Sequence, residues 1–298
     1  MSHSVVVGID GSVESAAAAE WAAREARRTG RTLRMVHVGG TEADALAREL
    51  DGVGGIPAPV TAIRDRIAAG LPGLEVSCET VPGNPAYALA AASRRAALLV
   101  LGSRGLGGFA DLLIGSVGLR AAARADCPVV LVRAGSDAPH TSPGTDGAVV
   151  ADAVPRDVVV GVQGDRPCDA VLAFAFQHAA DTGARLRVLE SRDTSHPAYT
   201  TEAPVEQWEI RESLALAEQL RLQDALARWQ DKYPTVRTEV EVCPWSPARM
   251  LVEASRSASL VVLGRRAPKH PTAGPRLGSV AQSVLHHAHG PVAVVPHH

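Results

Sequence analysis

Gly102-Ser-Arg-Gly-Leu-Gly-Gly-Phe-Ala-Asp-Leu-Leu-Ile-Gly-Ser-Val117 follows the apolar run Ala96 to Leu101 and precedes the alanine-rich stretch Gly118 to Ala125. This order reads as a strand, a glycine-rich loop and the first turn of a helix. The first N–H groups of a helix have no intrahelical partner, and the aligned peptide dipoles place about half a positive charge there. A loop of this kind is therefore an anion site, and phosphate suits it. Gly102 ends the strand, Gly105 turns the loop, and Gly115 and Ser116 open the helix, where the Ser116 hydroxyl is available to cap or to donate. Glycine is expected at such points because it admits positive φ and close approach of a ligand.

Two familiar phosphate motifs are excluded by spacing. A Gly-x4-Gly-Lys-Ser/Thr loop is absent, and the dinucleotide pattern Gly-x-Gly-x2-Gly belongs after the first strand, whereas these glycines follow a later one. The spacing here is Gly-x2-Gly-x9-Gly-Ser.

Outward from that loop the chain alternates strand and helix. Val5 to Ile9 is a short apolar strand ending at Asp10-Gly11-Ser12, with Ser12 placed to cap the alanine-rich helix Ser15 to Arg28. Leu33 to Val38 is a second strand, followed by a broken helical stretch, Glu42 to Leu50 and Val60 to Ala69. Leu74 to Thr80, Leu98 to Leu101 and Pro128 to Val132 complete five strands, with helices at Pro85 to Arg95 and Val117 to Arg124. Such alternation means a parallel sheet covered on both faces.

Residues 135–156 read as a linker rich in Gly, Pro, Ser, Asp and Ala, after which the pattern begins again. Val159-Val160-Gly161-Val162 repeats Val6-Val7-Gly8-Ile9 at an offset of 153, and Gly278-Ser279-Val280 repeats Gly115-Ser116-Val117 at 163. Val261-Val262-Leu263-Gly264 and Pro291 to Val295 repeat their counterparts likewise. The chain is a tandem duplication, with domains expected at 1–134 and 157–298. One insertion gives the second half a longer helix, Val205 to Asp231, whose Leu214, Leu220, Leu222, Leu226 and Trp229 are expected to cover the sheet.

The 298 residues include 30 Lys plus Arg against 32 Asp plus Glu, and no basic run exceeds a pair, so a nucleic-acid surface is disfavoured. Four dispersed cysteines lack metal-finger spacing and suit small buried groups. No stretch approaches a membrane span and no signal segment opens the chain, so the expected location is cytoplasmic.

Taken together, Val-Gly-Ile-Asp-Gly-Ser after the first strand, His37-Val38, Gly102-x2-Gly105-x9-Gly115-Ser116 and Cys127-Pro128-Val-Val-Leu-Val resemble the ATP-binding branch of the universal stress protein family. The resemblance runs along the whole chain, strongly in the first half and more weakly in the second. It implies two tandem open parallel five-stranded sheets in the order 3-2-1-4-5, of the adenine nucleotide alpha hydrolase kind. It further implies that ATP binds at the switch point between strands one and four. There Asp10 would meet nucleotide hydroxyls, Val38 the adenine, and Gly102 the ribose, with Ile9 also among the nucleotide-binding residues. Gly105, Gly115, Ser116 and Val117 would hold the phosphates, with Arg104 adding charge. Mg²⁺ would be held by phosphate oxygens and water rather than by side chains.

No catalytic constellation for phosphoryl transfer is evident, so slow hydrolysis at most is expected of a sensor or regulatory module with an unidentified protein partner. Two other classes stay open. One is an enzyme of the same superfamily, although neither Ser-Gly-Gly-x-Asp-Ser nor His-Ile-Gly-His is present. The other is a ligand-free interaction scaffold.

Two further expectations concern the relation between the halves. The apolar fifth strands, Val129 to Val132 and Val292 to Val295, are expected to cover one another within the chain as a pseudo-dimer, with a homodimer as a further option. The second half is expected to bind nucleotide less tightly through Gln163, Gly264, Gly278, Ser279 and Val280. Gln163 replaces Asp10, Glu190-Ser191 replaces His37-Val38, and Ala267 replaces Gly105, with loss of positive φ. The loop Pro268 to Leu277 is one residue longer, though Arg265, Arg266, Lys269 and Arg276 offer phosphate contacts of their own.

Overall fold

The computed structural model of the chain describes residues 4–40, 55–105, 114–135, 156–163, 168–191, 208–243, 245–267 and 274–297, without the side chains at 208–215 and 218. The first half runs β1 (Ser4–Ile9), α1 (Val13–Arg28), β2 (Leu33–Val38), α2 (Ala58–Gly70), β3 (Val76–Val81), α3 (Pro85–Ser93), β4 (Ala96–Gly102), α4 (Ser116–Arg124) and β5 (Val129–Val132). The second runs β6 (Val158–Val162), α5 (Asp169–Thr182), β7 (Leu186–Ser191), α6 (Trp208–Lys232), β8 (Thr238–Cys243), α7 (Pro247–Ala254), β9 (Leu260–Arg266), α8 (Ser279–His287) and β10 (Val292–His297).

Each half has the strand order 3-2-1-4-5, but the two do not form separate sheets. All ten strands make one sheet, β3-β2-β1-β4-β5-β10-β9-β6-β7-β8. Pairing is parallel within each half and antiparallel at the centre, where Leu131, Val130 and Val129 face Val292, Ala293 and Val294. The physical reason is the composition of β5: all four of its residues are buried, and an apolar edge of this kind needs a partner. Because direction reverses at the centre, the carboxyl ends of β1 and β4 lie at one edge of the sheet and those of β6 and β9 at the opposite edge.

Alternation along the strands fills a core on each face. Val5, Val7 and Ile9 face the layer holding α1 and α5, while Val6, Val36, Leu99 and Leu101 face the layer holding Leu89, Ala121 and Leu251. The α1 alanines Ala18, Ala19, Ala22, Ala23 and Ala26 are fully buried and let that helix sit close to the sheet. Ser12 caps α1 by accepting from the Ser15 amide at 3.1 Å, as its sequence context predicts. In α6, Leu222, Leu226 and Trp229 are buried. Leu220, however, is 55% exposed, because it falls on the opposite side of the helix from those three. The Leu214 side chain and the predicted helix 42–50 lie outside what the structure describes.

The duplication reaches single hydrogen bonds. Ser93 donates to the Ala90 carbonyl and accepts from the Asp126 amide, and Ser255 donates to Val252 and accepts from the His289 amide. The junction between halves is clasped by two arginines in reciprocal roles. Arg133, just past β5, donates to the Leu285 and His286 carbonyls in the last turn of α8, at 2.9 and 2.7 Å. Arg265, in β9, donates to the Ala125 carbonyl at the end of α4, at 2.5 Å. Last-turn carbonyls lack intrahelical donors and carry the negative end of the dipole, so guanidinium groups suit them. On the other face, α1 and α5 meet through Trp21 stacked on His178 and through Arg28, Glu25 and Asp181.

Candidate functional site

The turn after β1 is set by Asp10, whose Oδ1 accepts from the Ser12 amide at 2.9 Å and from the Ser12 hydroxyl at 2.6 Å. Gly11 takes φ +89° there, a conformation that side chains rarely tolerate. One carboxylate oxygen of Asp10 is thus spent on the turn. The other, Oδ2, points across to the segment after β4 and lies 2.5 Å from the place a Cβ on Gly105 would occupy.

This geometry corrects the expected reason for Gly105. Its φ is not positive, so the residue is glycine for space and not for turning. Gly102 also answers to packing. A Cβ there would come within 2.9 to 3.0 Å of the Glu14 backbone and Cβ, so glycine lets α1 close onto the end of β4. Its small size faces that helix rather than an open crevice.

Gly115 is the N-cap of α4 and makes no side-chain cap bond, while its own amide donates to the Ser103 carbonyl at 2.7 Å. Ser116 is the first helical residue and not the cap, which corrects the capping role expected of it. Ser116 and Val117 are both exposed at the helix start. The loop between Gly105 and Ile114, including Asp111, lies outside the described residues. What is described brings both loop ends together: Gly115 stands 3.6 Å in Cβ terms from Arg104 Cα and 3.9 Å from the Gly105 amide nitrogen.

The charge around this point is positive beyond the helix terminus. Arg104 is paired with Glu14 in the first turn of α1, Nη2 to Oε1 at 2.9 Å. Burial pushes the Arg133 guanidinium below its ordinary value, and the neighbouring Arg104 charge adds to that effect. Glu14, Ser103 and Arg133 are residues the sequence did not single out. Glu14 had a signal, since it opens α1 one turn beyond Asp10, but its contact with β4 depends on the crossing of chain segments far apart in sequence.

Ile9 and Val38 end adjacent strands. The Ile9 carbonyl accepts from His37 Nδ1 at 2.8 Å, which fixes the proton on that nitrogen. Val38 is half-buried at the last position of β2, opposite Val81. Asp10, Gly102, Arg104, Gly105 and Gly115 therefore converge on the carboxyl ends of β1 and β4, with Ile9 and Val38 alongside. This is the point where strand order reverses, and open α/β sheets bind ligands there.

In the second half the same place opens into a cleft of about 2250 Å³. Gln163, Gly264, Gly278, Ser279 and Val280 all line it. A Cβ on Gly264 would lie 2.8 Å from His297 Nε2 and 3.1 Å from Val171, so this glycine also serves packing. Ala267 donates its amide to the His297 carbonyl at 2.7 Å. Lys269 and the loop prolines Pro268 and Pro271 lie outside the described residues. Among the described residues, no group of three or more His, Cys, Asp and Glu is placed to hold a metal ion.

Comparison with known proteins bears on the family and the fold. The family model described as "Universal stress protein family" matches residues 1–133 and 155–296. A universal stress protein of Mycobacterium tuberculosis is 34% identical over 307 residues, covering 98% of this chain and 96% of the relative. A second from the same organism is 30% identical over 309 residues, covering 97% and 95%. The crystal structure of a universal stress protein from Archaeoglobus fulgidus superposes with a TM-score of 0.63 at 17% identity, over 99% of both chains.

Proposed function

The chain belongs to the universal stress protein family, and from that premise we propose that its first half is an ATP-binding regulatory module of the cytoplasm. The observation that carries this reading is the cradle between Asp10 and the start of α4. Asp10 Oδ2 occupies the space that a Cβ on Gly105 would need, and Gly115 leaves the α4 terminus without a side-chain cap. A carboxylate acceptor for sugar hydroxyls and a bare helix terminus for phosphates stand at one crevice.

ATP fits the residues present. Asp10 would accept from ribose hydroxyls, the strand ends at Ile9 and Val38 would border the base, and Gly115, Ser116 and Val117 would meet the phosphates. Arg104 would add charge while keeping its bridge to Glu14. Mg²⁺ would screen the phosphate charge, held by phosphate oxygens and water. Asp10 Oδ1 is already committed to the turn through Ser12, and Glu14 is held by Arg104. That arrangement favours binding over turnover, and the module acts by changing state with nucleotide occupancy.

The test is direct. Mass spectrometry of small molecules released from the purified chain should detect an adenine nucleotide, and calorimetry on the stripped protein should give one tight ATP site. Absence of both, in protein shown to be folded, would remove the assignment.

A further inference from the structure

The helix whose N-terminus forms the first-half phosphate end is held at its far end by the second half of the chain. α4 spans nine residues and about 13 Å. Its buried residues are Gly118, Ala121, Ala122 and Ala123, with Leu119 half-buried beside them. Small side chains make few contacts to key a helix onto a sheet, so the two ends fix where α4 lies along its axis. At the N-terminus the Gly115 amide donates to the Ser103 carbonyl at 2.7 Å, a bond within the first half. At the C-terminus the Ala125 carbonyl accepts from Arg265 Nη2 at 2.5 Å, and Arg265 belongs to β9.

Arg265 aligns with Ser103 in the repeat, so the second half carries a guanidinium where the first has a hydroxyl. It is 6% exposed, and its Nε has no hydrogen-bond partner. Burial pushes the guanidinium below its ordinary value, and the nearby Asp126 charge opposes that. A buried charge with an unpaired donor is a costly route to stability, but it favours the one arrangement in which its other donor is paired. The device recurs in reverse. Arg133, which aligns with Pro296, donates to the Leu285 and His286 carbonyls in the last turn of α8, itself capped by Gly278. Neither arginine is a copy of the other, so duplication alone did not supply the contact. Two unrelated positions converge on it.

We infer that Arg265 is a positioning residue for the first-half nucleotide site: the second half sets the axial place of α4, and with it the N–H groups that meet phosphate. A short helix moves as a unit, so a displacement at Ala125 is felt at Gly115. A guanidinium at the C-terminus and a phosphate at the N-terminus both suit the helix dipole, and each favours the other. This role rests on the reading of the first half as an ATP site. It makes that site a property of both halves, although every residue that would touch the ligand comes from one. Ile9, Asp10 and Val38, which would meet the ribose and the base, follow β1 and β2 and stand apart from α4.

The experiment uses the full chain and compares ATP with adenosine, which lacks the phosphates. In calorimetry Arg265→Ala should weaken ATP at least about fivefold, the low end of couplings between separate sites, while adenosine binding stays nearly constant. Arg265→Lys, which keeps a charged donor, should recover part of the loss. Amide exchange at Gly115 in the ligand-free chain should quicken in Arg265→Ala. Should that variant fail to fold, Arg265→Met, which keeps the buried stem, carries the same comparison. Unchanged ATP affinity in a folded variant overturns the role. Equal losses for ATP and adenosine do so too, since they would mark a general loosening. If the unmodified chain binds no ATP, the reading of the first half fails by itself, and an unchanged Gly115 exchange rate separately overturns the placement of α4 by Arg265.

Discussion

Asp10 Oδ2 lies 2.5 Å from the position a Cβ on Gly105 would take, so the carboxylate and the glycine occupy one volume between them. Residues from two strands that are neighbours only after folding thereby share a constraint. Gly105→Ala should displace the Asp10 carboxylate and lower ATP affinity about tenfold, roughly 1.4 kcal/mol. In an Asp10→Gly background the same substitution should cost much less, and a double-mutant cycle by calorimetry reads the coupling. Additive effects would show that the two residues act separately.

Gly115→Asp should separate binding from folding. The nearest atoms to a Cβ there lie at 3.6 to 3.9 Å, which is ordinary contact, so the side chain is accommodated. Its carboxylate would sit at the α4 terminus where phosphate charge is expected. ATP affinity should fall more than tenfold while the thermal midpoint changes little. A large drop in the midpoint would mean that the site was lost through the fold.

The clasp between halves makes a stability prediction. Arg133→Ala leaves the Leu285 and His286 carbonyls without their charged donor, and Arg265→Ala does the same to Ala125. Hydrogen bonds to charged groups are worth about 1.5–3 kcal/mol, and each variant should lose about that much in urea unfolding. Both should remain single-chain particles in solution scattering, since β5 and β10 still pair.

Acid should loosen the α1–α5 contact. Burial raises the Glu25 pKa, but the His178 hydrogen bond and charge, together with Arg28, outweigh it and leave the group below its ordinary 4.5. A carboxyl lowered in the folded state contributes stability that is present above 4.5 and is lost as pH falls through its folded value. Arg28, His178 and Asp181 are the charged or titratable groups facing it there. Glu25→Gln should therefore flatten the acid limb of the stability profile below about pH 4.5 while lowering stability near neutrality. An unchanged acid limb would exclude Glu25 as its source.

Cys127 is buried beside β5, and desolvation pushes its thiol up to about 12. A disulfide reagent at pH 8 should leave it unmodified in the folded chain and label it on denaturation. Rapid labelling without unfolding would contradict the burial.

The alternation of strands and helices, the duplication and the location of the loop ends were all legible in the chain, because hydrophobic period and glycine spacing are local properties. The chain also identified β5 and β10 as edges needing cover, since four consecutive apolar residues cannot stay unpaired in water. Their mutual cover was expected from the chain as well, but antiparallel hydrogen bonding between them, which merges two expected sheets into one, is a property of the packed structure. The reasons for individual glycines were likewise invisible in the chain order. Gly105 yields space to Asp10 and Gly102 yields it to Glu14, contacts across segments some 90 residues apart. Spacing could mark these positions as glycine, but the atom that would have collided with a side chain is set by packing.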